Sequence, residues 1–346
     1  MNILYIGQNY GTSLQRCQAL KRIGHDPYLI DPFALIQSNR FVAKWIHLTG
    51  AFALSTWVKN QIIKDIEKKH FDLVWVDGGV LCEPDLIIKL KNKFGFVINY
   101  NNDDPFPLKE YGDYGKWRLY RESIPYYDLL AVVRKQNIKE VKEYGCKNVI
   151  HVFRSADEIL HKPVVLNSDE VERWKSEVCF VGTWMPKRDS FIIRLLKRKL
   201  PLSIWGDRWH KSAEWNFIKP HWKGPGVFNS DYSKIIQSSK ICLGLLSIGN
   251  RDDHTQRSVE IPAIGGLFCA KRSAEHLQMY TEGREAVFWD TADECADVCF
   301  DLLKSPDLRI EIARRGHERC LSNNYFNEPT MKHILDQAFE IGLRPA

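Results

Sequence analysis

The sequence predicts an α/β protein made of two tandem, doubly wound Rossmann-like domains. Its 346 residues exceed the roughly 100–200 residues of a typical domain. Short apolar runs rich in β-forming residues alternate with segments of helical periodicity, and the alternation occurs in two series. Because such alternation is typical of parallel sheets, each series predicts one parallel sheet covered by helices.

The first series predicts a domain over residues 1–160. A strand in "NILYIG" precedes a glycine turn, a helix in "TSLQRCQALKRIGH" and a strand in "DPYLIDP". Further strands are predicted in "FDLVWVDGG", "GFVINYNNDD", "DLLAVV" and "NVIHVF", and helices in "EPDLIIKLKNKF" and "KQNIKEVKEYG". In the first turn, Gly11 allows a diphosphate near the backbone, with Thr12 or Ser13 as helix cap. The turn lacks the dinucleotide fingerprint, which argues against NAD, and a tight turn without a ligand explains it equally well.

A polar stretch carrying Pro163 predicts a linker over residues 161–176, and the second series predicts a domain over residues 177–325. Its strands are predicted in "EVCFVG", "LSIWGD", "KICLGLLSIG", "GLFCA" and "EAVFWD". Helices are predicted in the intervening segments and in two longer segments that open at Thr291 and Ser305, both good N-cap residues. Residues 326–346 predict one more helix.

Charge and cysteine content narrow the class of protein. The net charge of +6 suits an anionic ligand such as a nucleotide, but the basic residues are scattered, which is weak evidence for nucleic acid. Nine cysteines occur without a Cys-x-x-Cys pair; Cys295 and Cys299 are four apart with no histidine cluster, so no structural metal is expected. We expect core cysteines in a reducing compartment.

The N-terminus does not resemble a signal peptide, and no apolar run reaches the roughly eighteen residues of a membrane span. We therefore expect a cytoplasmic protein with no integral membrane segment. A peripheral membrane contact is compatible with this expectation.

The stretch "HTQRSVEIPAIGG" predicts a helix that carries a charged pair. Arg257 and Glu260 are three residues apart and share one helical face, where a weak surface ion pair would be one explanation. The alternative is a nucleoside diphosphate site. The N-terminus of a helix that follows a strand favours an anion, arginine grips a phosphate in a bidentate manner, and a glutamate accepts both hydroxyls of a ribose.

The sequence resembles the GT-B glycosyltransferases, and specifically their CgeB-like (spore maturation protein CgeB) group, along nearly the whole chain. "RSVEIPAIGGLFCA" matches the donor motif of that group, and "VCFVGTWMPKRD", "LSIWGDRW", "VINYNNDDPFP" and "HVFRSADEILHKP" match other segments. The resemblance implies two domains facing a cleft, with a nucleotide-sugar donor bound by the second domain. It also implies donor-site positions, which are Gly182, Arg188, Gly206, His254, Arg257 and Glu260. His254 could assist the phosphate or the donor sugar, although a lone histidine in a loop is more often a polar surface residue.

Three carboxylates at predicted strand ends are candidates for the general base of an inverting transfer. Asp103 is favoured by a distant similarity to phage DNA β-glucosyltransferase. Asp104 is the adjacent candidate, although it is also placed to cap a turn before Pro105, in which case neither acid is catalytic. Asp77 in "VWVDGG" is the reserve. Retaining relatives carry a glutamate where this chain has Asp252, so the stereochemical outcome stays open.

Together these features predict a hexosyltransferase-type glycosyltransferase that needs no metal and no cofactor. The nucleotide-sugar is its substrate, and the identity of the nucleotide stays open. The acceptor stays open as well, between a glycan, a protein, a small molecule and DNA. The alternatives are a nucleotide-sugar 2-epimerase of the same fold and a non-catalytic GT-B-like subunit that binds a sugar or a partner.

Overall fold

The computed structural model of the protein describes residues 1–36, 39–108, 114–247 and 249–344. The chain divides into two compact units. Unit 1 comprises Met1–Arg154, Ile248–Asp252 and Asn327–Ala346, and unit 2 comprises Ser155–Ser247 and Asp253–Phe326. The first unit thus closes at Arg154 rather than at residue 160, and it includes the last helix of the chain.

Unit 1 contains a parallel sheet whose described strands run in the order β2-β1-β3-β4-β5-β6. These strands are β1 (Asn2–Ile6), β2 (Asp26–Ile30), β3 (Leu73–Asp77), β4 (Val97–Asn101), β5 (Leu129–Val132) and β6 (Val149–His151). Its helices are α1 (Gly11–Arg22), α2 (Pro32–Leu35), α3 (Arg40–Thr49), α4 (Leu54–Asp65), α5 (Pro84–Phe94), α6 (Arg118–Ser123) and α7 (Lys135–Glu143). The order reverses at β1, which is the doubly wound pattern.

Unit 2 contains a second parallel sheet, with described strands in the order β12-β11-β10-β7-β8-β9. Its strands are β7 (Ser176–Val181), β8 (Leu202–Trp205), β9 (Trp222–Gly224), β10 (Ser239–Gly244), β11 (Phe268–Lys271) and β12 (Val287–Trp289). Its helices are α8 (Ser168–Trp174), α9 (Arg188–Lys197), α10 (Trp215–Ile218), α11 (Asn229–Gln237), α12 (Arg257–Ile264), α13 (Ala274–Met279), α14 (Ala292–Lys304) and α15 (Pro306–Ser322). The order reverses at β7, so this unit is doubly wound as well.

The last helix, α16 (Asn327–Glu340), packs in unit 1 although it follows α15 in sequence. Its apolar side chains lie in the same buried cluster as Ile3, Tyr5 and Trp75, side chains from one face of the sheet. The helical side chains of this cluster are Met331, Ile334, Leu335 and Ala338. The C-terminus therefore completes the core of the first unit.

The predicted α/β class and the two parallel sheets are confirmed. Thr291 caps α14 by accepting the N–H of Glu294, whereas Ser305 makes no side-chain cap before α15. The predicted linker 161–176 contains α8, which opens with a capping box of Asn167 and Glu170. The predicted cap on α1 is wrong, because this helix starts at Gly11 after Tyr10, which makes no side-chain cap.

The nine cysteines are all buried and reduced, as expected for small core residues. Among the described helices, none combines the length and the apolar character that crossing a bilayer requires.

Substitution of Ile334 by alanine tests the role of α16. Ile334 is fully buried, so the shortened side chain leaves a cavity and should lower the free energy of unfolding by about 2–5 kcal/mol. His333 is the exposed neighbour on the same helix, and His333→Ala should change it by less than about 0.5 kcal/mol. Chemical denaturation measures both, and equal effects of the two substitutions would contradict the packing described.

Candidate functional site

The candidate donor helix, α12, is held in place by groups that compensate for an internal proline. Pro262 has no N–H, so the carbonyl of Ser258 loses its helical partner. The hydroxyl of Tyr280 donates to that carbonyl at 2.8 Å, and Tyr280 is buried. The helix ends at Gly265, whose φ of +89° is left-handed and favours glycine.

Glu260 is a buried carboxylate at the start of α12, with a side chain only 4% exposed. It pairs with Arg257 one turn earlier, so the interpretation as a weak surface ion pair is wrong. The Nε of Arg257 donates to the carbonyl of Val181, the last residue of β7, at 3.1 Å. The guanidinium also lies 4.3 Å from the ring centre of Tyr232. The pair therefore ties α12 to the carboxyl end of β7.

His161 is a second partner of Glu260 that sequence reasoning missed. The backbone N–H of Asp157 donates to His161 Nδ1 at 2.9 Å, which leaves the proton on Nε2. Nε2 lies 3.5 Å from the Oε1 of Glu260. The segment around His161 was included in the family resemblance, but nothing in its spacing indicated that it would reach residue 260.

Glu260 is ionised at neutral pH despite its burial. Burial by itself raises the pKa of a carboxyl group, but the charge of Arg257, with the nearby His161 ring, outweighs it, so the pKa of Glu260 is lowered. A buried carboxylate with two cationic or donor neighbours can still accept hydrogen bonds from hydroxyl groups of a ligand.

Two predicted arginines converge on the end of β7. Arg257 binds the carbonyl of Val181, and the Nη1 of Arg188, at the start of α9, donates to the carbonyl of Thr183 at 2.6 Å. Gly182 lies between these two carbonyl groups. The structure thus places the side chains predicted to neutralise a diphosphate around one three-residue segment.

Gly182 and Gly206 follow the adjacent strands β7 and β8, as predicted. Gly206 has a φ of +151°, and a Cβ at this position would lie 2.0 Å from the carbonyl oxygen of Gly182. The Nε1 of Trp209 donates to the same oxygen at 3.0 Å. Only glycine fits at residue 206, and the reason is the contact between the two strand ends.

His254 is buried rather than a polar surface residue. It is 1% exposed, and its Nδ1 lies 2.5 Å from a carboxylate oxygen of Glu275, which is also buried. The contact connects the loop before α12 to the first turn of α13.

In unit 1, two of the three candidate bases are held by arginines. Asp77, at the end of β3, receives two hydrogen bonds from Arg16, at 2.6 and 2.8 Å, and one from the hydroxyl of Tyr5. Asp104 is 0% exposed, and Arg251 donates to its two oxygens at 2.5 and 2.8 Å. It also accepts the N–H of Phe106, which is the turn cap that the sequence allowed.

Asp103, in contrast, is exposed, and its own backbone N–H donates to Asn101 Oδ1 at 3.1 Å. The carbonyl of the preceding residue, Asn102, accepts hydrogen bonds from Arg134 at 3.2 Å and from Arg154 at 3.0 Å. Asp103 therefore lies beside two buried cationic side chains while its carboxylate faces solvent.

Asp252 pairs with both of these arginines and is itself buried. Burial and the neighbouring charge of Arg154 lower the pKa of Arg134, against the opposing effect of Asp252. The residue that stands where retaining relatives have a glutamate thus belongs to a buried charge network of unit 1. The sequence analysis considered position 252 only in relation to the stereochemical outcome.

Gly11 has a φ of +60° and opens α1. The turn before it is tight, because a Cβ on Gly7 would lie 2.6 Å from Ser13 Oγ and 3.0 Å from the Cβ of Asp77. The geometry requires glycine for the turn itself, which is one of the two explanations that the sequence allowed.

In the part of the chain that the structure describes, one group of side chains has the proximity needed to bind a metal. The ligand atoms of Cys269, Cys295 and Cys299 lie within 4.8 Å of one another, and all three residues are buried in the core of unit 2. The sequence analysis related only Cys295 and Cys299, which are four residues apart. Cys269 lies on β11 and comes near them only in the folded structure.

Comparison with known proteins supports the fold. Residues 187–336, less than half of the chain, match the family described as "Glycosyl transferase-like". No curated protein sequence matches the chain. Sucrose-phosphate synthase from Thermosynechococcus elongatus is 12% identical, with a TM-score of 0.72 over 98% of both chains. Anabaena HepE in complex with UDP-glucose is 11% identical, with a TM-score of 0.72 over 98% of this chain and 100% of that chain.

A putative UDP-N-acetylglucosamine 2-epimerase from Listeria monocytogenes is 12% identical, with a TM-score of 0.63 over 99% of this chain and 98% of that chain. At these identities the similarities concern the fold alone. They show that the chain has the two-domain α/β architecture of the GT-B glycosyltransferases.

His276 contacts α12 through Ser258, and its burial gives a testable pH dependence of stability. His276 Nδ1 donates to the carbonyl of Lys271 at 2.7 Å, and Nε2 accepts the hydroxyl of Ser258 at 2.7 Å. Burial lowers the pKa of His276 from 6.5 to about 4. The folded state holds the neutral ring, so its contribution to stability is complete above pH 6.5 and is lost as the pH falls toward 4.

We expect this residue alone to remove about 2–3 kcal/mol of unfolding free energy between neutral pH and a pH near 4.5. The His276→Gln variant should therefore lose about 2–3 kcal/mol less unfolding free energy than the wild type over the same pH range. Denaturant titrations at several pH values measure both losses. Identical pH profiles for the wild type and the variant would contradict the assignment of a neutral, buried ring.

Proposed function

We propose that the protein is a glycosyltransferase that uses a nucleoside diphosphate sugar as donor. The observation that carries the proposal is the convergence at the end of β7. There, Arg188 and Arg257 bind backbone carbonyl groups on either side of Gly182, and the ionised Glu260 lies one helical turn from Arg257. The family match over residues 187–336 covers this helix and both arginines.

The proposed chemistry follows from the charges. The leaving group of a glycosyl transfer is a nucleoside diphosphate, which gains negative charge as the glycosidic bond breaks. Arg188, Arg257 and the N-terminus of α12 supply positive charge for it, and this is our reason to propose a reaction without a metal ion. Glu260 supplies acceptor oxygens for the two ribose hydroxyls.

UDP-glucose is the first donor to test, because HepE has been crystallised with it and shares the fold. We include in the proposal the transfer of a hexose and membership of the CgeB-like group. The donor motif over residues 257–266 supports membership of that group. The acceptor is left open between a glycan, a protein, a small molecule and DNA.

Asp103 is the proposed general base of an inverting transfer. It would take the proton of the acceptor hydroxyl as that oxygen attacks the anomeric carbon and the bond to the diphosphate breaks. Asp77 and Asp104 are engaged by arginines on both of their oxygens. A carboxylate held in this way is a poor proton acceptor, so Asp103 is the better candidate of the three.

An epimerase is the second candidate, since a putative UDP-N-acetylglucosamine 2-epimerase shares the fold. Incubation with UDP-sugars in the absence of an acceptor separates the two. Slow release of UDP indicates a transferase, and formation of an epimeric sugar nucleotide indicates an epimerase.

Glu260→Gln tests the donor site. Losing the charge-assisted acceptor should weaken nucleotide binding by roughly 10–100-fold. Calorimetry should use whichever of UDP, GDP and dTDP binds the wild type most tightly. Glu172→Gln is the matched control, because that side chain is 72% exposed in the same unit, and it should bind as the wild type does.

Since Glu260→Gln also leaves Arg257 without its carboxylate, the thermal unfolding of this variant must be recorded alongside. Wild-type affinity in a folded Glu260→Gln protein would refute the ribose assignment. Equally weakened nucleotide binding in Glu172→Gln would show that the effect of Glu260→Gln is not specific to the donor site.

Asp103→Asn tests the base. Turnover should fall by roughly 10²–10⁴-fold while donor binding and thermal stability stay unchanged, because the side chain is exposed. Asp104→Asn should instead lower the free energy of unfolding by about 3 kcal/mol, since it weakens the buried pair with Arg251. Turnover and unfolding are measured for both variants with the same acceptor. Full turnover in Asp103→Asn would show that the base lies elsewhere or that the reaction retains configuration.

A further inference from the structure

Tyr232, on α11, is a buried tyrosine beside the candidate donor site. The guanidinium of Arg257 lies over its ring, 4.3 Å from the ring centre. The ring of His161 meets it edge to face, with 6.0 Å between the two ring centres. Because Arg257 and His161 are both partners of Glu260, these three side chains, which come from three segments of unit 2, lie around one carboxylate.

The hydroxyl of Tyr232 is buried, yet no polar atom among the described residues is in hydrogen-bonding geometry with it. Burial raises the pKa of Tyr232 well above its usual range, so the hydroxyl keeps its proton and is a donor at neutral pH. An unpaired buried hydroxyl costs free energy, and most buried polar groups in proteins have a partner. A partner gained when a ligand binds would explain why this donor is kept.

Glu260 is an acceptor within electrostatic reach of this hydroxyl. Burial raises the pKa of the Glu260 carboxyl, Arg257 lowers it most, and the Tyr232 hydroxyl lowers it further. The hydroxyl is therefore near the carboxylate, while Arg257 makes the direct contact. An ionised carboxylate offers about four acceptor positions, so Glu260 can accept from Tyr232 and still bind hydroxyl groups of a ligand.

We propose that Tyr232 is a positioning residue that replaces Arg257 as a partner of Glu260 when the donor binds. This inference rests on the nucleotide site proposed above. The Arg257 side chain is 28% exposed and that of Glu260 only 4%, so Arg257 is the member of the pair that a diphosphate reaches first. When Arg257 turns toward the diphosphate, Glu260 stays buried and needs another donor to remain charged. The Tyr232 hydroxyl then donates to it and keeps the carboxylate ionised for the ribose.

Tyr232→Phe removes the hydroxyl and keeps the ring. Because the hydroxyl is unpaired in the free protein, the melting temperature of the variant should equal that of the wild type or exceed it. In the complex, Glu260 loses one charge-assisted hydrogen bond, so the affinity for a nucleoside diphosphate should fall roughly tenfold. A tyrosine that only supported the fold would give the opposite result, a lower melting temperature with unchanged affinity.

Two probes isolate the exchange of partners. They are the nucleoside diphosphate among UDP, GDP and dTDP that binds the wild type most tightly, measured by calorimetry, and the nucleoside of the same base, measured by competition against that diphosphate. The nucleoside has the ribose but no phosphate to draw Arg257 away, so Tyr232→Phe should bind it as the wild type does.

Tyr127→Phe is the matched control for this experiment. Tyr127 is also 2% exposed and its hydroxyl is also unpaired, but it belongs to unit 1. This variant should bind both probes with wild-type affinity, and an equal loss in Tyr127→Phe would count against the proposal.

Other results would overturn the proposal as well. Wild-type affinity for the diphosphate in a folded Tyr232→Phe protein would show that the hydroxyl takes no part in binding. Equal weakening of diphosphate and nucleoside would show that Tyr232 supports the ribose site without an exchange at Arg257. A lowered melting temperature would show that the hydroxyl already has a partner in the free protein. A wild type that binds none of the three diphosphates would instead refute the proposed function, and this inference with it.

Discussion

A buried, ionised carboxylate is the constraint on which the candidate donor site depends. Glu260 loses nearly all contact with water, and such a group is tolerated only when charges and hydrogen bonds replace its hydration. Arg257 and His161 do so, and each fixes a further part of unit 2. Arg257 fixes the start of α12 against the end of β7, and His161 fixes the chain that leads into unit 2. The geometry of the site is thus set by the need to keep one side chain charged.

The same rule shapes unit 1, where arginines neutralise buried carboxylates beside the carboxyl ends of the strands. Arg16 holds Asp77 after β3, and Arg251 holds Asp104 after β4. The planar guanidinium suits this purpose because it donates two parallel hydrogen bonds and stays charged when buried. Asp103 is the acid in "NNDDP" that this system leaves facing solvent. Its availability is therefore a consequence of how its neighbours are paired.

The sequence predicted what depends on local pattern and missed what depends on distant partners. The strands followed from apolar runs, and the Arg257–Glu260 pair from three-residue spacing. Which of Asp103 and Asp104 would be buried was decided by Arg251, 147 positions from Asp104 in the chain. Asp252 likewise meets Arg134 across 118 positions. β9 has only three residues, which is too short for a clear periodic signal.

The pairing of Arg257 with Glu260 also bears on how a diphosphate could be accommodated there. A lone buried glutamate beside phosphate oxygens would repel them strongly, since charges interact with little screening in a dry environment. With Arg257 in place the pair is nearly neutral, and the guanidinium, 28% exposed, keeps donors that a phosphate can reach. The Nε2 of His161 lies 3.5 Å from Glu260 and comes from another segment of the chain, so Glu260 need not lose all support if Arg257 turns toward a ligand. Because Glu260 has both His161 and Arg257 as partners, it can bind hydroxyl groups while Arg257 binds an anion. A carboxylate paired with an arginine alone could not do both.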